Sequence, residues 1–408
     1  AIRERLRVAY GEAPANTSGS NPTDAPAVRA VDLVFARAIA AHASDIHIEP
    51  SPAGGRVRLR VDGILRELES IPAALFAAFC SRLKLLASMD ISDRRQPQDG
   101  RCGIPFESRE IDARVSSVPT IDGEKIVVRL LDRYAATPDL ASLGMPRDML
   151  ATYRSAAHAP WGFVVVSGPT GSGKTTTLYA SLAELDARSR NVCSVEDPIE
   201  MRLRGASQVQ VNTRAGLTFP GVLRALMRQD PNVVMIGEMR DVETALVAVS
   251  AALAGQIVFT TLHANDAPRT IDRLIELGVA RHSLAAALSI VLAQRLVRVL
   301  CEQCRARASI PVALRRDLRT QQDSWFIPTG CRACAGSGYL GRIGVYELMV
   351  VDDGVRDAIA TGASSVQVAQ LAARSGYQPM LEQGIAHVFD GVTSFAEVTR
   401  VLPWSDPR

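Results

Sequence analysis

Residues 167–175 read SGPTGSGKT, with the apolar run FVVV at 163–166 before them and TTTLYASLAEL at 175–185 after them. The stretch fits G-x-x-x-x-G-K-[ST] from Gly168 to Thr175, in the strand-then-helix context that the pattern needs. Glycines at 168, 171 and 173 let backbone N–H groups converge on one anion with no Cβ in the way. The helix that follows adds its positive N-terminal end. Lys174 supplies a point charge for the outer phosphates, and the Thr175 hydroxyl a place on Mg2+. Pro169, Thr170, Ser172 and Thr176 complete the cradle. Such a loop ties the surrounding chain to an α/β architecture and implies a bound nucleoside triphosphate, with ATP as the expected ligand.

The rest of the chain agrees. From residue 161, short unbroken β-rich runs alternate with helical stretches: Phe163–Val166, Asn191–Val195, Val209–Val211, Val233–Ile236 and Ile257–Thr261. Apolar strands between helices predict a parallel sheet covered on both faces. The earlier part reads differently. A helix over Ala27–Ala41 and another over Pro72–Met89 accompany strands at Asp45–Glu49, Arg56–Val61, Leu65–Leu68, Ile111–Ser116 and Lys125–Leu131, a small α+β domain. The expected organisation is an N-terminal segment and linker (1–26), the α+β domain (27–134), an interdomain linker (135–160) and the ATPase domain (161–300). A tetracysteine element (301–345) and a C-terminal helical subdomain (346–408) follow, the latter with helices over Val366–Ala373 and Met380–Phe389.

An enzyme that cleaves a nucleotide must orient a metal and a water at the γ-phosphate, so a strand ending in an acid is expected. PNVVMIGEMRD (231–241) provides Glu238 just past the run Val233–Ile236, and SVEDPIE (194–200) provides Glu196 and Asp197 past another. In an open α/β sheet that is the edge where ligands collect. Either Glu196 or Glu238 can serve as general base or water positioner; the sequence leaves that choice open. The run Ile257–Thr261 leads into Leu262 and His263, a third candidate at the same edge, able to sense the γ-phosphate by hydrogen bond.

Cys301-x-x-Cys304 and Cys331-x-x-Cys334, with 26 residues between the pairs, form a tetrathiolate pattern. Two close pairs at the ends of a loop converge on one tetrahedral ion, and Zn2+ is the usual occupant of such a structural site. Cys80, Cys102 and Cys193 stand apart in apolar or mixed segments and are expected to be inert core residues.

With 47% hydrophobic and 22% charged residues, the chain can bury a core, which excludes wholesale disorder. A net charge of +3 is too weak to make nucleic acid or an anionic membrane the main partner. The most apolar windows, Leu246–Phe259 and Leu284–Ala293, are broken well short of the roughly 18 apolar residues of a spanning helix. The first ten residues, AIRERLRVAY, carry no apolar signal core. The expected location is cytoplasmic.

These residues carry a resemblance. ASDIHIEP (43–50), RRQPQDGR (94–101), DARVSSVPT (112–120), GPTGSGKTTTLYASL (168–182), VEDPIE (195–200), QVQVN (208–212), GLTFPGVLRALMRQDPNVVMIGEMRD (216–241), TTLHAND (260–266), AQRLVRVLCEQC (293–304) and CRACAGSGYLGRIGVYE (331–347) occur in this order. Nearly everything from about residue 27 onward resembles the ATPases of type II secretion and type IV pilus assembly, the family of general secretion pathway protein E. The resemblance implies a RecA-like motor domain preceded by a second N-terminal domain with a PAS-like fold. It assigns Lys174 and Thr175 to the Walker A site, Glu196 to the Asp box, Glu238 to the Walker B site and His263 to the His box. It also implies that Arg114 and Arg129 reach the nucleotide's phosphates across the domain cleft, where a guanidinium fork suits γ-phosphate charge. Arg56, Arg58 and Arg60 read as solvent-facing strand charges.

Further implications are a homo-hexamer whose domains close on ATP, and partners among the inner-membrane platform and docking proteins of a secretion or pilus machine. Membrane contact then comes only through those partners, with no direct nucleic acid. The tetracysteine element agrees with the extension and secretion members. Two departures are Gln256, where the family usually has His, and Met239, where Ile is commoner. The family's first N-terminal domain is expected to be absent here. Two rival readings share the phosphate motifs: a DNA-uptake or conjugative traffic ATPase, and a non-motor ATP-binding switch.

Overall fold

The computed structural model describes residues 26–107, 109–131 and 137–404. The chain divides into two compact units between residues 135 and 136.

The first unit contains α1 (Pro26–Ala40), β1 (Asp45–Ser51), β2 (Gly54–Val61), β3 (Ile64–Pro72), α2 (Ala73–Leu86), β4 (Gln98–Phe106), β5 (Arg109–Thr120) and β6 (Gly123–Leu131). Its strands form one antiparallel sheet in the order β3-β2-β1-β6-β5-β4. Strand side chains alternate between faces. Ile46 and Ile48, Val57 and Leu59, Ile111, Ala113 and Val115, and Ile126 and Val128 are buried, in one core with Val31, Val34 and Phe35 of α1 and Phe79 and Leu83 of α2. The other face is charged. Glu49 collects Arg56, Arg58 and Lys125 at 3.0, 2.7 and 3.2 Å. Partial burial raises its pKa, but those three bonds outweigh it and hold the carboxyl at about 2. Arg60 lies 3.6 Å from Asp45, so all three β2 arginines have acidic neighbours.

The second unit begins with a 3-10 turn at Leu140–Leu143 and continues with α3 (Arg147–Ala157), β7 (Gly162–Ser167), α4 (Lys174–Ala183), β8 (Val192–Glu196), β9 (Ala206–Gln210) and α5 (Phe219–Leu226). Next come β10 (Val233–Ile236), α6 (Val242–Leu253), β11 (Ile257–Leu262), α7 (Ala267–Glu276), α8 (Arg281–Ala287) and β12 (Leu288–Leu300). The remaining elements are β13 (Ala306–Ser309), α9 (Val312–Asp317), β14 (Ser324–Ile327), β15 (Tyr339–Val350), α10 (Asp353–Thr361), α11 (Ser365–Ala373), α12 (Met380–Phe389) and α13 (Phe395–Val401).

Seven strands form one sheet in the order β15-β12-β7-β11-β10-β8-β9. Every pairing is parallel except β12 with β15. Successive residues feed two different cores. Phe163, Val165, Val234 and Ile236 join one, while Val164, Val166, Val233 and Met235 join the other. That is why these strands read as continuous apolar runs rather than alternating ones.

Two regions differ in detail from expectation. The stretch 135–160, expected to link the domains, holds from residue 137 a turn and a helix whose Leu140, Met145, Leu150 and Tyr153 sit in the second unit's core. The sheet also continues past residue 300: β12 pairs along its length with β15, and the cysteine-bearing segment is inserted between them. Among the described residues, no helix is long and apolar enough to cross a membrane.

Candidate active site

The register of the sheet aligns four strand ends. Ser167 of β7 lies beside Leu262 of β11, and Ile236 of β10 beside Thr260 of β11 and Val195 of β8. The residues that leave these ends are Gly168, His263, Glu238 and Glu196. Parallel order therefore brings the phosphate loop, both candidate acids and the histidine to one edge.

The loop is shaped as a cradle. Gly168, Gly171 and Gly173 have φ of 150°, 79° and 87°, in the region that L side chains rarely adopt. A Cβ on Gly168 would stand 2.5 Å from the carbonyl oxygen of Gln294 and 2.6 Å from Oγ of Ser172. The Gly168 N–H donates to the carbonyl of Leu262 at 3.2 Å, fastening the loop to β11. Gly173 caps α4 with no side-chain hydrogen bond, which leaves the helix's first N–H groups for a ligand.

Lys174 is 7% exposed, and its Nζ donates to the carbonyls of Gly168 and Pro169 at 2.8 and 2.9 Å. Burial depresses its pKa to about 8; the negative charges of Glu238 and Glu200 pull it back up, and Arg295 pushes it down. Thr175 and Thr176, the second and third residues of α4, are half-buried, and Ser172 Oγ is buried without a hydrogen-bond partner. A cradle that a Cβ would fill, an unpartnered hydroxyl and a lysine on backbone carbonyls fit a phosphate with Mg2+ beside it.

The two glutamates differ. Glu196, 2% exposed, accepts hydrogen bonds from the Tyr179 hydroxyl, from Ser194 Oγ at 2.5 Å and from Gln208 Nε2 at 3.1 Å. Tyr179 also accepts the backbone N–H groups of Glu200 and Met201, at 3.2 and 3.3 Å. Glu196 thus anchors the acidic loop to α4. Glu238 is paired with Arg240, and its Oε2 lies 3.9 Å from Nε2 of His263. Burial lowers the pKa of His263, the Lys174 ammonium lowers it further, and Glu238 partly offsets both. Asp197 is exposed. Glu200, seen in the sequence only as part of an acidic turn, acts on Lys174 where Glu196 does not.

The departures sit apart from this chemistry. Met239 is 4% exposed in the apolar core. Gln256 precedes β11 while His263 follows it, so the six residues of that strand, roughly 20 Å, separate them.

Arg114 and Arg129 belong to the first unit and are directly opposed on β5 and β6. The same row across the sheet holds Arg60, Asp45 and Arg101. Arg129 Nε donates to Asp45 Oδ1 at 2.9 Å. Like charges directly opposite one another destabilise a sheet, and Asp45 offsets part of that repulsion by pairing with both Arg129 and Arg60.

The four cysteines converge, with all Sγ atoms within 4.8 Å of one another. Cys301–Cys331, Cys304–Cys334 and Cys331–Cys334 are 3.9, 3.8 and 3.8 Å apart. Tetrahedral Zn–S bonds of about 2.3 Å require sulfur separations of roughly 3.8 Å. The N–H groups of Cys331 and Gly338 donate to Cys334 Sγ, each at 3.2 Å, as amides do around a metal-bound thiolate. The donor set fits zinc. Cys80 and Cys193 are buried and Cys102 is half-buried.

A family model described as type II/IV secretion system protein matches residues 20–400. The chain is 45% identical over 377 residues to the type II secretion system protein HxcR of Pseudomonas aeruginosa, covering 92% of this chain and 77% of that protein. It is 44% identical over 382 residues to the type IV pilus assembly ATPase PilB of Myxococcus xanthus, covering 92% and 68%. Among solved structures, the ATPase DotB of Legionella pneumophila matches with TM-score 0.67 at 21% identity, covering 96% of this chain and 97% of that one. The pilus retraction motor PilT with bound ADP matches with TM-score 0.64 at 24% identity, covering 92% and 98%. At such identities the two structures speak for the fold.

Proposed function

The chain belongs to the type II/IV secretion system protein family, and from that membership we propose that it is the ATP-hydrolysing motor of a type II secretion or type IV pilus assembly machine. The observation that carries this reading is the single sheet edge where the phosphate loop, Glu238 and His263 meet. Lys174 and the loop amides hold the β- and γ-phosphates, and Thr175 would hold a Mg2+ that, when bound, would supply charge neutralisation there. Glu238 takes the proton of the attacking water, since Glu196 is engaged by three donors. His263, held near neutrality by burial and Lys174, reports on the γ-phosphate.

Arg114 and Arg129 supply the positive charge that the transferring phosphoryl group needs. The antiparallel first unit serves as the PAS-like arginine-bearing domain, and a homo-hexamer completes each site. ATP binding closes the domains and hydrolysis reopens them, passing movement to membrane platform proteins from the cytoplasmic side. The four cysteines hold a structural Zn2+.

The test is ATP turnover per chain against protein concentration with Mg2+ present. Specific activity that climbs and levels off is expected for a site completed by neighbours. Tight ATP binding with flat, near-zero turnover would contradict the motor.

A further inference from the structure

The phosphate loop is braced from behind by one amide that the nucleotide reading leaves unassigned. Ala293 of β12 pairs with Ser167 of β7, so Gln294 follows directly beside the loop. Its side chain is 1% exposed. Nε2 donates to the carbonyl of Ser172 at 2.6 Å, and Oε1 accepts from Thr177 Oγ1 of α4 at 2.8 Å. Glutamine offers a donor and an acceptor at one reach, so both bonds form at once. A Cβ on Gly173 would lie 3.1 Å from the same Nε2, which shows how closely loop and amide are packed.

A trans peptide points its C=O and the following N–H in opposite directions. Holding the Ser172 carbonyl toward β12 therefore turns the Gly173 N–H away from β12 and into the cradle. The brace extends further. The Gln294 carbonyl accepts from Arg295 NH1 at 3.1 Å, and Arg295 NH2 donates to the carbonyl of Asn265 at 2.9 Å, in the loop that carries His263.

We propose that Gln294 is a positioning residue for the reaction: by fixing the Ser172–Gly173 peptide it aims a loop amide at the nucleotide's phosphates. This rests on the nucleotide reading of the loop. An amide that holds phosphate equally in bound ATP and in the transition state gives uniform binding, so losing it raises KM and leaves kcat unchanged. Gln294→Met keeps the volume and removes both bonds; Thr177→Val removes the bond to Gln294 and the hydroxyl's longer bond to the Gly173 carbonyl at 3.4 Å, and leaves the Gln294–Ser172 bond in place.

The experiment measures ADP binding and steady-state Mg-ATP kinetics for the full chain and both variants. Gln294→Met is expected to weaken ADP and raise KM by about tenfold, equivalent to about 1.4 kcal/mol, with kcat within about threefold. Thr177→Val is expected to stay within about threefold of the parent on every measure. If Gln294→Met does not fold, Gln294→Glu, which keeps the shape and the Thr177 bond, carries the same expectation. Unchanged ADP affinity in the Gln294 variant, or an equal loss in Thr177→Val, overturns the proposal. A parent chain that binds no ADP overturns the nucleotide reading itself.

Discussion

The hydroxyl of Tyr179, on the helix after the phosphate loop, donates to the carboxylate of Glu196 at the end of β8. The same oxygen accepts two backbone N–H groups from the acidic loop. One phenol thus fixes where that loop runs relative to α4, and it occupies the glutamate the sequence offered as a base. Tyr179→Phe leaves one Glu196 carboxylate oxygen without its donor and two N–H groups without their acceptor. The expected cost is about 1–3 kcal/mol of stability, read by chemical denaturation, together with slower turnover at unchanged m-value.

The phosphate role proposed for Lys174 makes nucleotide binding depend on pH. Its folded pKa, near 8 through burial, lies below the ordinary lysine value of 10.5. The ammonium in the free protein therefore costs stability at neutral pH, and that cost is relieved as pH rises from about 8 to 10.5. Phosphate binding needs the charged form. ADP affinity should hold to about pH 7.5 and fall above pH 8 by up to about tenfold per unit. Calorimetric titration from pH 7 to 9.5 checks this; a flat profile would contradict it.

Removing the metal should loosen the segment between β12 and β15. Cys301→Ser, or an excess of chelator, is expected to abolish bound zinc and lower Tm by at least about 5 °C, since each kcal/mol is worth roughly 2–4 °C at this size. Elemental analysis of the purified chain should give one zinc per chain. A chain that holds no zinc and melts identically with chelator would remove the metal from the account.

Arg114 and Arg129 can be separated from their neighbours by mutation. Either change to Ala is expected to lower kcat/KM by on the order of 10²-fold or more if the guanidiniums stabilise the phosphoryl group. Arg60→Ala, in the same row but on the far side of Asp45 from Arg129 and Arg114, should stay within about twofold. Equal small effects at all three positions would reduce the row to surface charge.

Much of the motor sheet was legible because β7, β10 and β11 feed two cores and so read as unbroken apolar runs. The phosphate loop and the cysteine pairs were legible because their chemistry fixes residue types at short spacings. Other elements depend on distant partners. β4, QDGRCGIPF, has glycines, a proline and little burial; it is a strand because β5 pairs with it at the sheet edge. β12 was visible only as part of the apolar window 284–293, and its pairing with both β7 and β15 carries the sheet past the cysteines. Gln294 bonds residues 122 and 117 positions away, and the engagement of Glu196 by Tyr179 and Gln208 was equally out of reach.

The most direct measurement is ATP turnover by Glu238→Gln with ATP binding followed in parallel. The substitution keeps the shape beside His263 and removes the proposed base. ATP affinity within about threefold of the parent and turnover reduced by about 10²-fold or more are expected. A variant that hydrolyses ATP as fast as the parent would contradict the assignment of Glu238 and, with it, the account of this sheet edge.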